Sequence, residues 1–104
     1  MSVADKFGVK PVAQTCTYKA ATGDVAIKAS PGVYYGYIVT VATAVGAIDI
    51  RDSLTAGGGT VIDTIPSGTA AGSRQVMHTG ITCSAGVFAD YAAGTTGTIQ
   101  VLYT

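Results

Sequence analysis

The chain contains no glutamate and no tryptophan, and only 12% of its residues are charged, about half the usual ~25%. The lack of Glu, beside abundant Thr and Gly, argues against long helices and for strands. A small domain with so few charges has trouble covering its surface with polar groups. Either Thr, Ser and Gly cover the outside, or part of the surface is buried against copies of the chain or a larger assembly; the assembly reading is favoured. Six Lys and Arg (Lys6, Lys10, Lys19, Lys28, Arg51, Arg74) balance six Asp, for a net charge of zero. No basic stripe exists, so phosphate neutralisation cannot drive nucleic-acid binding. Cysteine is scarce too. Cys16 and Cys83 lie far apart, in neither a metal spacing nor a CxxC redox pair. They read as small buried hydrophobes, with a single disulfide possible but not implied. No apolar run approaches the ~18 residues of a membrane span. The first residues, MSVADKFGVKP, lack the apolar stretch and cleavage site of a signal peptide. Synthesis and folding in a reducing cytoplasm are the default.

What is present is a rhythm of glycines and short apolar alternations. At 104 residues the chain is one domain with a real core. Residues 1–11 are the least committed. Ser2-Val3-Ala4-Asp5 fits a weak capping box, and Pro11 stops any helix before it. The segment reads as a loose N-terminal arm, with docking on a neighbour through Val3, Phe7 and Val9 as the alternative. Residues 12–104 read as the β-domain. Val12 to Ala20 is strand-like, with Val12, Gln14, Cys16 and Tyr18 on one side, and residues 21–24 are a turn candidate in which Gly23 can take the positive φ of a tight turn. Val25, Ile27 and Ala29 are expected to face in and Lys28 out. Ser30-Pro31-Gly32 breaks the strand.

Val33 to Ser53, VYYGYIVTVATAVGAIDIRDS, is the centre of the pattern: a long strand, a tight turn and a second strand. Strict alternation puts Val33, Tyr35, Tyr37, Val39 and Val41 on one face. Tyr34, Gly36, Ile38 and Thr40 fall on the other. Both faces are apolar, as in a strand covered on each side or lying at an interface; Tyr34 and Ile38 are accordingly candidate assembly residues. Gly36 marks a bulge or a close backbone approach. Ile48 and Ile50 point in, while Asp49 and Arg51 point out and pair weakly. An Asx-type turn follows at Asp52-Ser53.

Ala56-Gly57-Gly58-Gly59 reads as a hairpin tip; no Lys-Ser/Thr pair or helix follows, as a phosphate loop would require. Thr60 to Ile65 is a strand. Residues 67–73 form a small-residue loop long enough to move or to reach a partner. Arg74 to Thr79 is a strand with Val76 inward. Ile81 to Cys83, Val87 to Tyr91 and Thr98 to Tyr103 complete the set, the last with Ile99, Val101 and Tyr103 on one side. The strand starts after Gly23, Gly46, Gly59 and Gly97 share no fixed period, which excludes a solenoid or propeller. The expected fold is all-β: a single antiparallel β-sandwich, jelly-roll-like, of about seven to nine short strands.

Little chemistry is in view. His78 has no neighbouring carboxylate, no Ser sits in a nucleophile motif, and one His with two distant Cys is too few for zinc. Asp49 and Asp52 point to opposite faces, and Asp90 is expected to face solvent. The chain reads as no enzyme, with no cofactor, no metal and no small-molecule substrate. Tyr34, Tyr35, Tyr37 and Tyr91 allow a glycan-stacking face, although cross-strand packing or subunit contact is favoured.

From Gly32 to Tyr103 the order of features resembles the small β-sandwich virion proteins of tailed bacteriophages. Pro31-Gly32-Val33-Tyr34 leads the long strand Tyr37-Ile38-Val39. Gly46-Ala-Ile-Asp-Ile-Arg-Asp-Ser, the Ala-Gly-Gly-Gly-Thr-Val-Ile hairpin, Gly80-Ile81-Thr82-Cys83 and the closing Gly97-Thr-Ile-Gln-Val-Leu-Tyr follow. The first 30 or so residues carry no match. Short single-domain proteins of this look resemble capsid cement, or decoration, proteins. Others are modules of head and tail fibres, which gives the alternative of a receptor- or glycan-binding module. A chain that starts with Met and ends on a strand favours the standalone cement protein. The resemblance implies a virion location on the capsid surface, the major capsid protein as partner, and a trimer of the chain itself, with no nucleic acid and no membrane involved.

Overall fold

The structure is a computed structural model, and it describes residues 16–104. The strands are β1 (Thr17–Ala21), β2 (Val25–Lys28), β3 (Gly32–Ala44), β4 (Ile48–Asp52), β5 (Thr60–Ile65), β6 (Arg74–Cys83), β7 (Val87–Tyr91) and β8 (Thr96–Tyr103). They form two four-stranded antiparallel sheets, in the orders β1-β8-β3-β6 and β2-β7-β4-β5. The pairing is nested: β1 with β8, β2 with β7, β3 with β6, β4 with β5. Only β4 and β5 follow one another within a sheet, so every other connection carries the chain from one sheet to the other.

One core joins the two layers. Ala21, Tyr34, Tyr37, Val39, Cys83, Ile99 and Val101 come from the first sheet; Ile27, Ile48, Ile50, Ile65, Val87, Ala89 and Tyr91 come from the second. The alternation of Ile48 with Ile50, of Ile99 with Val101 and of Val87 with Ala89 is what delivers these side chains to one side of each strand. No helix among the described residues is long and apolar enough to cross a membrane.

The long strand departs from strict alternation, and the cause is visible. Its register against both neighbours slips between Tyr34 and Gly36. Gly36 has φ +134, and a Cβ there would sit 1.8 Å from the Gln75 carbonyl oxygen. The extra residue of the bulge flips the faces. Tyr34, Tyr37 and Val39 therefore all point into the core. A second slip between Val39 and Val41 leaves Val41 on the outside, 55% exposed.

Other expectations are corrected in the same way. Residues 74–79 and 81–83 are one ten-residue strand that continues through Gly80, at φ 70. That irregularity puts Val76 outside, 54% exposed, and gives its inward place to Met77, which packs on the core. Ala29 is exposed and lies beyond β2, and Gly23 is not among the residues with positive φ. Among the described residues, the non-glycine that does turn the chain left-handed is Val45, at φ 78 in the β3–β4 turn. Residues 66–73 are fastened along β3. Thr43 N donates to Thr69 O at 3.0 Å, Gly68 N to Thr43 O at 2.9 Å, Gly72 N to Val39 O at 2.7 Å and Val39 N to Ser73 O at 2.8 Å. A loop bonded in this way extends the first sheet and is not free to reach outward. The proposed arm, 1–11, with Val3, Phe7 and Val9, lies outside the described residues.

Candidate functional surfaces and buried polar ties

The polar side chains that the fold brings together act first as ties between strands. Tyr34 has no exposed surface. Its hydroxyl donates to Asp63 Oδ2 at 2.7 Å, linking β3 of one sheet to β5 of the other. Gln75 Nε2 reaches the same oxygen at 3.5 Å. Burial pushes the Tyr34 hydroxyl far above the usual tyrosine range, and its bond to Asp63 adds to the shift. Tyr34, taken from sequence as an assembly residue, is thus an interior clasp with nothing left to offer a neighbour. Ile38, on the far side of the bulge, stands half-buried on the outer face of the first sheet.

Tyr91 is the counterpart at the opposite edge. Its hydroxyl lies 2.8 Å from Ala21 O and 3.2 Å from Gly97 O, and its amide donates to Asp24 Oδ1 at 2.6 Å. Burial pushes this hydroxyl up to about 12. Tyr37 also faces the core. Of the four tyrosines considered for a glycan face, Tyr34, Tyr37 and Tyr91 point into the interior while Tyr35 is half-exposed. They form no common aromatic wall.

Asp52 ends β4 and binds the β6–β7 turn. Its carboxylate accepts from Ala85 N at 2.9 Å, Ser84 N at 3.0 Å, Gly86 N at 3.4 Å and Ser84 Oγ at 3.3 Å. The backbone donors of Ala85 and Ser84 hold its carboxyl below the usual range. The Asx turn expected at Asp52-Ser53 belongs to Ser53, whose Oγ accepts from Thr55 N at 3.0 Å. A depressed folded-state pKa stabilises the fold fully above the unfolded value, about 4, and that contribution is lost as pH falls through the folded value. Asp52→Asn is therefore expected to destabilise the protein near neutrality. The gap from wild type, read by urea unfolding, should narrow between pH 5 and pH 2; a constant gap would dismiss the ionised clamp.

On the outer face of the second sheet Arg51 pairs with Asp90, not chiefly with Asp49. Its Nε donates to Asp90 Oδ2 at 2.7 Å, against 3.7 Å from Asp49. Asp90 also accepts from Gly57 N at 3.1 Å, and Arg51 donates to Gly58 O at 3.3 Å. Asp90 is thus not simply solvent-facing: it holds the glycine hairpin tip down on the sheet. Phe88, the cross-strand partner of Arg51, is buried but stands outside the core cluster.

Among the described residues no three His, Cys, Asp or Glu side chains are placed to share a metal ion. His78 is exposed on β6. Cys16 and Cys83 are both free thiols, and burial pushes the Cys83 thiol up to about 11. No protein-family model, curated protein or solved structure matches the chain.

What remains is a surface. The outer face of the first sheet carries Tyr18, Leu102, Gly36 and Val76 in one row across all four strands, with Ala20, Gln100, Ile38 and Arg74 in the next. Tyr18 is 64% exposed. Arg74, on the edge strand, is the one charge in these rows. The second sheet, by contrast, places Asp49, Arg51 and Asp90 outward. Sequence reading placed Gly36 and Ile38 on this face but misassigned Tyr34 and Val76, because two bulges and an edge-strand irregularity decide which residues reach it.

Proposed function

We propose that the chain is a jelly-roll-like β-sandwich that serves as a phage capsid cement protein: it binds the outer capsid surface, bridges capsid subunits and stabilises the head. The observation that carries this reading is the nearly uncharged outer face of the first sheet. That face lies on a body whose extents are 50 × 29 × 16 Å, thin enough to lie along a shell. The nested pairing of β1 with β8 through β4 with β5 supports the finer fold, since it is the wrapping of the eight-stranded jelly roll, an architecture found in viral capsid and lectin domains. Architecture does not by itself assign a function; the surface supplies the rest.

The proposed action is mechanical, not catalytic. A subunit that binds only the assembled lattice stabilises it by mass action. A face with little charge favours contact by shape and apolar burial over electrostatic steering. The partner is the major capsid protein, and the working unit is a trimer of this chain. The test is to add purified protein to expanded, undecorated tailed-phage heads and image them. Regular added density at lattice positions is the expected result, and heads identical with and without the protein would overturn the reading. Specific retention on a glycan array, with bare heads, would move the assignment to a receptor- or glycan-binding fibre module.

A further inference from the structure

We infer that residues 54–59 form a strap that covers Phe88 and opens as a unit while the sandwich stays folded, with Asp90 as its latch. The inference concerns the outer face of the second sheet and does not depend on the capsid reading.

Phe88 sets the question. Val87, Ala89 and Tyr91 of β7 are buried with the core side chains, so Phe88 between them points outward. This outward phenylalanine is nonetheless only 9% exposed. Its neighbours across the strands are Ala26 on β2 and Arg51 on β4. Alanine is too short to cover a ring, so the rest of the cover comes from the chain that follows β4. Leu54 reaches the start of β7, with its Cδ2 3.0 Å from where a Cβ on Gly86 would be. Gly57 N donates to Asp90 Oδ2 at 3.1 Å. Residues 54–57 are thus tied to the chain on either side of Phe88, two positions before it and two after. A turn closed by Gly58 N to Thr55 O at 3.4 Å then returns the chain to Thr60, the partner of Asp52.

Polar bonds, more than packing, hold this strap. Leu54 is its one large apolar side chain and is 52% exposed; Thr55, Ala56 and Gly57 are exposed as well. Its bonds to the outer face run through one ion pair. Asp90 Oδ2 accepts from Arg51 Nε at 2.7 Å as well as from Gly57 N, and Arg51 Nη1 donates to Gly58 O at 3.3 Å. Loss of that one carboxylate unhooks Gly57 and releases the guanidinium that holds Gly58. Asp49 Oδ2, 3.7 Å from Arg51 Nη2, gives the released guanidinium a second partner. The strap therefore has a closed arrangement on Asp90 and an open one in which Arg51 turns to Asp49. A segment with little buried apolar area and solvent-exposed hydrogen bonds opens at a lower free energy than the core beneath it. The shared latch makes that opening a single event, and what it uncovers is an aromatic ring beside an arginine.

Thiol labelling tests this on the full chain. Phe88→Cys, made with Cys16→Ser, leaves two thiols: the new one under the strap and Cys83 in the core, which has no exposed surface. Each is followed with a thiol reagent across a urea series below the unfolding transition. The new thiol should react at least about a hundredfold faster than Cys83 and depend less on urea, since a local opening exposes less surface than global unfolding. Adding Asp90→Ala should raise the ratio of the two rates at least about tenfold, whereas Asp49→Ala should not raise it. Equal rates with equal urea dependence would overturn the inference, because the sandwich would then open only as a whole. A new thiol that reacts as fast as one in a short unstructured peptide would overturn the cover, and a ratio unmoved by Asp90→Ala would overturn the latch. Where Phe88→Cys gives no cooperative melt, Ala26→Cys, across the strands from Phe88, takes its place with the same expectations.

Discussion

Gly36→Ala is expected to destabilise the domain by at least about 3 kcal/mol, the sum of a backbone penalty and an overpacking penalty. The glycine sits at φ +134, and a methyl group there would lie 1.8 Å from the Gln75 carbonyl oxygen and 2.8 Å from its carbon. Both obstacles are backbone, so no rotamer change removes them. Relief requires the edge strand β6 to part from β3. It would also endanger the bulge itself. If the chain escaped strain by losing the extra residue from the register, Tyr34 and Tyr37 would no longer both point inward, because a one-residue slip sends a whole row of side chains to the other face. Urea unfolding followed by tyrosine fluorescence measures the loss. Gly57→Ala, at φ +72 with nothing within 4 Å of the added methyl, isolates the backbone part and should cost only about 1 kcal/mol. Equal effects at the two sites would show that the contact with Gln75 carries no weight.

That same glycine marks the boundary of what the sequence discloses. The all-β class, the glycine hairpin tip at 57–59 and the inward faces of β4 and β8 were legible, because in those stretches apolar and polar residues alternate without interruption. In β3 the letters Tyr-Tyr-Gly-Tyr allow a straight strand or a bulged one. Only the close passage of β6 selects the second, and with it the faces of everything from Tyr34 to Val41. Val76 was misplaced for the same reason, since the irregularity around Gly80 is set by how β6 rides over Val33 and Tyr35, whose side chains lie 2.6 and 2.9 Å from where a Cβ on Gly80 would be. The polar ties were hidden more deeply. Asp52 meets Ser84, Asp90 meets Gly57 and Tyr34 meets Asp63 only after the sheets have wrapped. The one local hint was negative: Asp63 and Asp90 have no basic residue within ten positions.

The role of Asp63 as the partner of a buried hydroxyl makes Tyr34 the second position of large effect. Tyr34→Ala should cost about 4 kcal/mol, as expected for emptying a fully buried aromatic site. Tyr34→Phe keeps the ring and removes only the bond to Asp63 Oδ2, at 2.7 Å. Its expected cost is about 1.5–3 kcal/mol, the range for a hydrogen bond to a charged acceptor. A double-mutant cycle with Asp63→Ala separates the pair from the packing. Coupling of at least about 1 kcal/mol is expected, and additive losses would show that the clasp contributes nothing beyond the ring. The alkaline limb gives an independent reading. Burial raises the folded-state pKa of Tyr34 far above that of an unfolded tyrosine, so its neutral form stabilises the fold fully below about pH 10, and that contribution is lost as pH rises above it. Tyr37 and Tyr91 are shifted in the same direction and add to the slope. Tyr34→Phe cannot ionise in either state. It should therefore be less stable than wild type at pH 7, yet lose stability more slowly between pH 10 and pH 12. The two curves should converge there, and parallel curves would mean that the hydroxyl ionises as freely in the folded protein as in the unfolded chain.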